Sequence, residues 1–489
     1  MAFAVEGEIL AQHACAHTPD FPKPSHAEMD PRRFWDAICN CTQVVAKGLT
    51  DPVRALCISS HGETFIPLNR TGEAVGPAIL NQDSRATQEA AWIEGQLGLK
   101  RLFETTGLIA HPMYPVPKIL WLRKHQPKVF SSAAKFVTVI GYILQRLGLP
   151  PYVDYSLASR YLAFNVRECR WAEDILECVD LNSDRLPLAV PAGTIAGELD
   201  ASSASQLGLT GGTPVVVGGH DQPCGALGLG VIGPGCVADS MGTYECLLAA
   251  SRNPVLTEPA FAARLNSYCH VVPEKFVTIA YFPSGIMLKW FHDLLYANGD
   301  CQIGSEPDKS EGEHYVSLEA RAPTGPTGLC ITPHLIGTCN PDFDPHARGI
   351  IYGLNPGTRR ADIYKGILEG VACELAQIAR LIATAAGDFQ DICVTGGGSR
   401  SALGLKLRAA LTGKRLHLMH CSEAVCLGGA ILAGAAVGEY SSVEEGVRRL
   451  VREVAVVEPD AIIASEYAQQ LKKYQYLRSS QSLLPKEER

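Results

Sequence analysis

The sequence is short of charge. Lys, Arg, Asp and Glu make up 19% of its 489 residues, and the balance is acidic at −8. No basic block stands anywhere in it, which argues against a nucleic-acid partner and leaves any anionic ligand to locally placed donors. No uncharged apolar run reaches the length of about 18 residues that a membrane span needs. The opening MAFAVEGEIL has neither a positive region nor a long apolar stretch, so it does not read as a signal peptide. Cysteine is plentiful, at 17, yet no CxxC occurs, and Cys39 and Cys41 lack a second pair, so zinc is not expected. Cys57, Cys330 and Cys393 lie in apolar segments, the pattern of buried free thiols in a reducing, cytoplasmic setting. There is no GxxxxGK[ST], GxSxG or HExxH. GLGVIG (228–233) matches GxGxxG but follows a helical stretch and precedes a strand, the wrong context for a dinucleotide fingerprint.

What is present is a mixed α/β pattern with 46% hydrophobic residues, enough for two or three cores. VRALCISS (53–60) and TPVVVGG (213–219) read as strands. Residues 30–49 and 360–386 carry apolar side chains at helical spacing. The interval 250–330 is irregular, with strand-like CHVV and VTIAYF and a helical SGIMLKWFHDLLYA. Residues 441–489 are more charged and are expected to form a capping helical region with a frayed, basic end. Two halves repeat one idea. GCVADSMGTYECLLAA (235–250) is a strand, a Gly-Thr turn and a strand, with a long helix, a strand and a glycine turn later in the chain. The first half opens at MAFAVEGEILAQ, a strand, a Glu-Gly turn and a strand, so by analogy a first strand and its turn are missing there.

Several stretches carry chemistry. In VVVGGHDQPCGALGLG (215–230) an apolar strand ends on His220, Asp221 and Gln222. Asp221 is either the cap of a helix starting near Gln222 or a general base for a substrate hydroxyl, with Gly218 and Gly219 leaving space beside it. In DSMGTYE (239–245), Gly242 and Thr243 form either an ordinary hairpin turn or an anion cradle suited to phosphate. In DICVTGGGSRSALGLKLRAALTG (391–413) a strand runs into Gly396, Gly397 and Gly398, with Ser399 capping a helix that Gly413 ends. That turn is either a tight connection or a place where a nucleotide approaches the backbone. The small residues of 421–440 suit close helix packing. In SSHGETFIPLN (59–69), His61 and Glu63 alternate with Gly62, on a surface hairpin or facing a small polar ligand.

Taken in order, these pieces resemble the FGGY family of carbohydrate kinases over nearly the whole chain. ISSHGET sits at the family's sugar-contacting strand end, and AILNQDSRA is similar to its W-x-D-x-R segment, with Asp83 and Arg85 kept and Asn81 in place of tryptophan. TGLIAHPMYPVPKILWL (106–122) and DYSLASRYLAFNV (154–166) resemble the family's next segments. GGHDQ, DSMGTYE and VTGGGSRS resemble the catalytic, second phosphate and adenosine motifs. The resemblance implies an α/β protein of two ribonuclease-H-like (actin-like ATPase) domains with a central cleft, spanning 1–222 and 223–440, and a C-terminal helical extension over 441–489. It implies ATP- and Mg2+-dependent phosphorylation of a sugar or polyol, with Asp221 as base. His61, Glu63, Asp221 and Gln222 are then at the substrate, and Gly242, Thr243, Gly396, Gly397, Gly398 and Ser399 at ATP. A homodimer is common in the family.

The N-terminus departs from the family pattern. No residue stands in for the aspartate and threonine of the family's opening D-x-G-T turn, and MAFAVEGEILAQ matches the family's segment just beyond that turn. The expectation is a misplaced or truncated start, a first domain lacking a core strand, lowered stability and weak or absent kinase activity. The alternative is a pseudokinase that binds sugar or nucleotide in a regulatory role.

Overall fold

A computed structural model describes residues 1–296 and 310–480. The chain begins with a small hairpin of β1 (Ala2–Phe3) and β2 (Ile9–Ala11). Helix α1 (Pro31–Lys47) follows a two-residue strand at Glu28–Met29 and is capped by Asp30, whose side chain accepts from the Arg32 amide. The N-terminal sheet has three strands. β3 (Leu56–Ser60) runs parallel to β5 (Pro214–His220), and β4 (Ile195–Glu198) pairs antiparallel on the other side of β5. Val215, Val216 and Val217 of β5 are wholly buried, as expected of a strand covered on both faces. Among the described residues β3 pairs with β5 alone.

The C-terminal sheet has seven strands. They are β6 (Cys236–Met241), β7 (Tyr244–Ser251), β8 (Asn266–Cys269), β9 (Phe276–Pro283), β10 (Asp391–Thr395), β11 (Arg415–Met419) and β12 (Glu453–Val457), in the order β8-β9-β7-β6-β10-β11-β12. β6 and β7 form the expected hairpin, and β10 lies parallel to β6. The helix over Arg360–Ala386 forms with the bounds that its spacing predicts and packs along this sheet, its buried face running from Ala361 to Ile382.

The two halves are joined where the helix Asp221–Gly228 crosses the helix Ala424–Ala436. A Cβ at Gly228 would stand 1.9 Å from the Ala424 carbonyl oxygen, and one at Gly428 would stand 2.0 Å from that of Cys224. The small residues of 421–440 therefore serve backbone-to-backbone packing. Residues 441–480 are not all helical, contrary to the sequence expectation. β12 adds an edge strand to the C-terminal sheet, and the helix Ala461–Ser480 buries Tyr467 and Tyr474 in its core. Residues 481–489, the expected frayed end, lie outside the described residues. Among the described residues no helix is long and apolar enough to cross a membrane.

Candidate active site

Asp221 opens the helix that succeeds β5. His220 holds the cap position and makes no side-chain capping bond, so Asp221 lies inside the first turn and is not its cap. Its side chain is about a third exposed, and His220 Nε2 stands 3.2 Å from its Oδ1. Burial, then the charge of Glu63, pushes the Asp221 carboxyl up to about 7, against the pull of the Gln222 amide and Arg160. Burial also drives His220 down to about 3, so the ring is neutral. Its Nδ1 lies 3.0 Å from the Tyr268 hydroxyl. With Tyr268 donating to Nδ1, His220 presents Nε2–H to Asp221. Gln222 is half-buried beside the acid.

Gly218 and Gly219 do not leave space beside Asp221 as expected. A Cβ on Gly218 would meet the Ile58 carbonyl oxygen at 2.3 Å, and one on Gly219 would meet Val271 at 2.5 Å. These glycines let β5 approach β3 and the C-terminal half closely.

The segment after β3 also differs from the strand alternation expected of it. Glu63 has φ 61°, a left-handed turn, and is buried. Arg160 Nε donates to Glu63 Oε1 at 2.5 Å, and Arg160 Nη1 donates to Asn266 Oδ1 at 3.1 Å. The guanidinium lies 4.8 Å from the Tyr268 ring centroid and 5.2 Å from that of Tyr114. Burial, the largest influence, would raise the Glu63 carboxyl; the charge and hydrogen bond of Arg160, together with His220 and Lys118, more than offset it and hold the group ionised. Lys118, fully buried, donates to the carbonyl oxygens of Leu80 at 2.7 Å and Glu63 at 3.3 Å and fixes this turn. Gly62 allows the approach of His220, whose Nε2 would lie 3.0 Å from a Cβ there. His61 Nε2 meets the Thr64 hydroxyl at 2.7 Å. Asp83 and Arg85 form a buried ion pair at 2.7 Å that also engages Glu28.

The glycine turns of the C-terminal half come together at the ends of adjacent parallel strands, the usual ligand position of an open α/β sheet. Gly396 has φ 93°, and a Cβ there would stand 2.6 Å from the Met241 carbonyl oxygen, one residue before Gly242. A Cβ on Gly398 would meet the Met241 side chain at 2.9 Å, whereas Gly397 faces open space. Gly242 and Thr243 are exposed, and the helix Gly285–Tyr296 steadies their turn from behind, with the Gly285 amide donating to the Gly242 carbonyl oxygen at 3.1 Å. Ser399 sits in a short 3-10 turn and donates to the Gly396 carbonyl oxygen. The helix cap is Ser401, accepting from the Gly404 amide, and Gly413 ends that helix in the left-handed region. The expected cap was two residues early because the 3-10 turn intervenes.

Sequence reasoning missed the buried supports. Arg408 donates to both Glu245 oxygens at 3.0 and 2.8 Å, and Ser284 Oγ donates to Glu245 at 2.7 Å, directly behind the Gly242–Thr243 turn. Arg160, Asn266 and Tyr268 join the halves beside Asp221. The available signal was an arginine set among mostly uncharged residues in SLASRYLAF and in LRAAL.

Residues 1–228 match the N-terminal domain and residues 237–437 the C-terminal domain of the FGGY family of carbohydrate kinases. The chain belongs to that family and is a carbohydrate kinase by kind. It is 27% identical over 488 residues to the xylulose kinase of Escherichia coli K12, covering 98% of this chain and 96% of that protein. It is 25% identical over 444 residues to the gluconokinase of Bacillus subtilis 168, covering 90% and 85%. The xylulose kinase of Lactobacillus acidophilus superposes with a TM-score of 0.88 at 21% identity, covering 98% of this chain and 95% of that one. The fold is thus the two-domain actin-like ATPase fold.

Proposed function

We propose that this protein phosphorylates a hydroxyl of a sugar or polyol at the expense of ATP, with Asp221 accepting the hydroxyl proton. The observation that carries this reading is Asp221 itself. It is a partly exposed carboxyl at a helix start, with a proton affinity close to neutral and a neutral His220 fixing its orientation. A base poised near the working pH is what proton removal from an alcohol requires. His61, Glu63 and Gln222 are assigned to the sugar, with Glu63 held ionised by Arg160 as an acceptor for substrate hydroxyls.

The residues present fit a nucleotide. Gly397 and the exposed Gly242–Thr243 turn leave backbone open to an anion, and no side chain fills the space at Gly397. Gly396 to Ser399 would line the adenosine end and Gly242 with Thr243 the phosphates. ATP, when bound, supplies the phosphoryl group. Mg2+ would arrive with the nucleotide, held by its phosphates and by one or two carboxylates at the cleft.

A coupled ADP-release assay with Mg-ATP over ketoses, aldoses, aldonates and polyols tests this. Sugar-dependent ADP with one class is the expected result. A thermal shift with a sugar but no ADP with any would replace the kinase reading by one of binding without turnover.

A further inference from the structure

The two halves also meet along a surface that the cleft chemistry does not use. On the N-terminal side a hairpin pairs Phe164–Asn165 with Arg170–Trp171, and its turn holds Cys169 at φ 50°. On the C-terminal side β8 ends at Cys269. The two Sγ atoms stand 3.9 Å apart across 100 residues of chain. Both thiols turn toward one acceptor, the Val166 carbonyl oxygen, at 3.8 and 3.9 Å. Cys169 is half-buried and Cys269 is buried, so a small oxidant reaches the first from solvent while the second waits behind it.

Among the described residues two other thiol pairs are closer still. Cys15 and Cys41 lie 3.4 Å apart, and Cys236 and Cys393 lie 3.3 Å apart. The first pair lies within the N-terminal half, and the second joins the neighbouring strands β6 and β10. Of the three, Cys169 with Cys269 is the pair that spans the halves.

We propose that Cys169 and Cys269 form a peroxide-sensitive dithiol whose oxidation ties the N- and C-terminal halves together through a disulfide. The Cys169 sulfur attacks one oxygen of hydrogen peroxide, the O–O bond breaks, and the departing hydroxide takes the thiol proton to become water. Cys269 then attacks the resulting sulfenic sulfur. The S–S bond forms, the S–O bond breaks, and the hydroxyl leaves with the Cys269 proton as a second water. One peroxide is reduced and two thiols are oxidised. The hydrogen bond shared with Cys269 holds the Cys169 thiol below its ordinary value, which favours the thiolate that attacks. The sulfurs need to close to about 2.05 Å, and the turn carrying Cys169 supplies that movement. Cys269 directly succeeds Tyr268, whose hydroxyl meets His220 beside Asp221, so the tether fixes the angle between the halves next to the acid. Cleft opening and closing is then restricted.

The full chain is treated with hydrogen peroxide, alkylated, digested without reductant and mapped by mass spectrometry. The expected product is a linked peptide pair containing Cys169 and Cys269. Dithiothreitol abolishes it, and it is absent from Cys169→Ser and Cys269→Ala. Where sugar-dependent ADP release is measurable, it falls in the oxidised wild type, returns with dithiothreitol and is unchanged by peroxide in Cys169→Ser. Links confined to Cys15–Cys41 or Cys236–Cys393, or Cys169 driven to the sulfinic acid unlinked, would overturn the proposal. The mapped link is read independently of turnover, so a chain with no kinase activity still decides it.

Discussion

The two sheets of this protein share a plan but not a completeness. In the C-terminal half β10 is flanked on both sides, by β6 and β11, and the β6–β7 hairpin carries the exposed Gly242–Thr243 turn. In the N-terminal half β3 has a neighbour on one side, β5, and its other edge has no strand among the described residues. The β1–β2 hairpin does not fill that edge. It lies on the C-terminal half, where the Tyr440 hydroxyl donates to the Val5 carbonyl oxygen at 2.9 Å, Arg452 reaches the Glu6 carbonyl oxygen at 3.2 Å, and Gly7 packs on Leu450. The difference teaches that the proposed nucleotide and sugar sites have unequal support. The C-terminal glycine turns rest on a paired sheet, whereas Glu63 and Asp221 hang from the ends of two strands, braced by Arg160 and Lys118 of the same half and, through Arg160 and His220, by Asn266 and Tyr268 of the other.

The largest effect expected falls on the less supported side. Asp221→Asn should lower kcat by about 10²–10⁴-fold while calorimetry still detects sugar binding; unchanged turnover would reduce Asp221 to a structural residue. In the wild type kcat/KM should rise with pH through about 7, because the base acts when ionised. Stability runs the other way. A folded-state value raised from 3.8 to about 7 means that the folded chain holds this proton more tightly, so its contribution is lost as pH rises through that window. Asp221→Asn should therefore raise the melting temperature at pH 8 and leave it unchanged at pH 3.

Each half also buries an arginine–glutamate pair beside its strand ends, and these allow a matched test. Glu245→Ala strands Arg408 behind the Gly242–Thr243 turn proposed for phosphate, and Glu63→Ala strands Arg160 beside the proposed sugar site. Removing one partner of a buried pair costs about 3–5 kcal/mol, so urea midpoints should fall in both. The kinetics should separate them: Glu63→Ala raises the KM for sugar, and Glu245→Ala raises that for ATP. Equal effects on both constants in both variants would erase the division of labour between the halves.

How much of this was legible in the sequence depended on range. Local signals placed β5, the helix Arg360–Ala386, the β6–β7 hairpin and Gly413 at the end of its helix, because periodicity, turn residues and caps act within a few positions. The role of Gly218 was misjudged because the Ile58 carbonyl oxygen it accommodates is distant in sequence. Glu63 looked like a strand residue, and only the tertiary pairing with Arg160 and the hold of Lys118 explain its left-handed turn. β12 was invisible because its EVAVV is an exposed edge strand with little apolar burial to pattern it.

Within the turn proposed for the nucleotide, neighbouring glycines should behave differently. Gly396→Ala places a Cβ 2.6 Å from the Met241 carbonyl oxygen at φ 93°, a strain of about 1–3 kcal/mol that should lower the melting temperature and weaken ATP. Gly397→Ala meets open space, so the fold should keep its stability, and any loss of ATP affinity reports the ligand directly. Equal destabilisation of the two would place the turn elsewhere.

The smallest effect tests the open edge. In a parallel sheet successive residues direct their amides alternately to the two neighbours. Every second amide of β3 therefore faces a side with no strand among the described residues, while those of β10 are met on both. Hydrogen exchange should show alternation along Leu56–Ser60, with the outward amides exchanging far faster than the inward ones, and uniform protection along Asp391–Thr395. Exchange tracks the cost of exposing each amide, and an edge amide needs no opening of the sheet. Uniformly slow exchange along β3 would mean that its free edge is covered in solution and that the two halves are more alike than their sheets show.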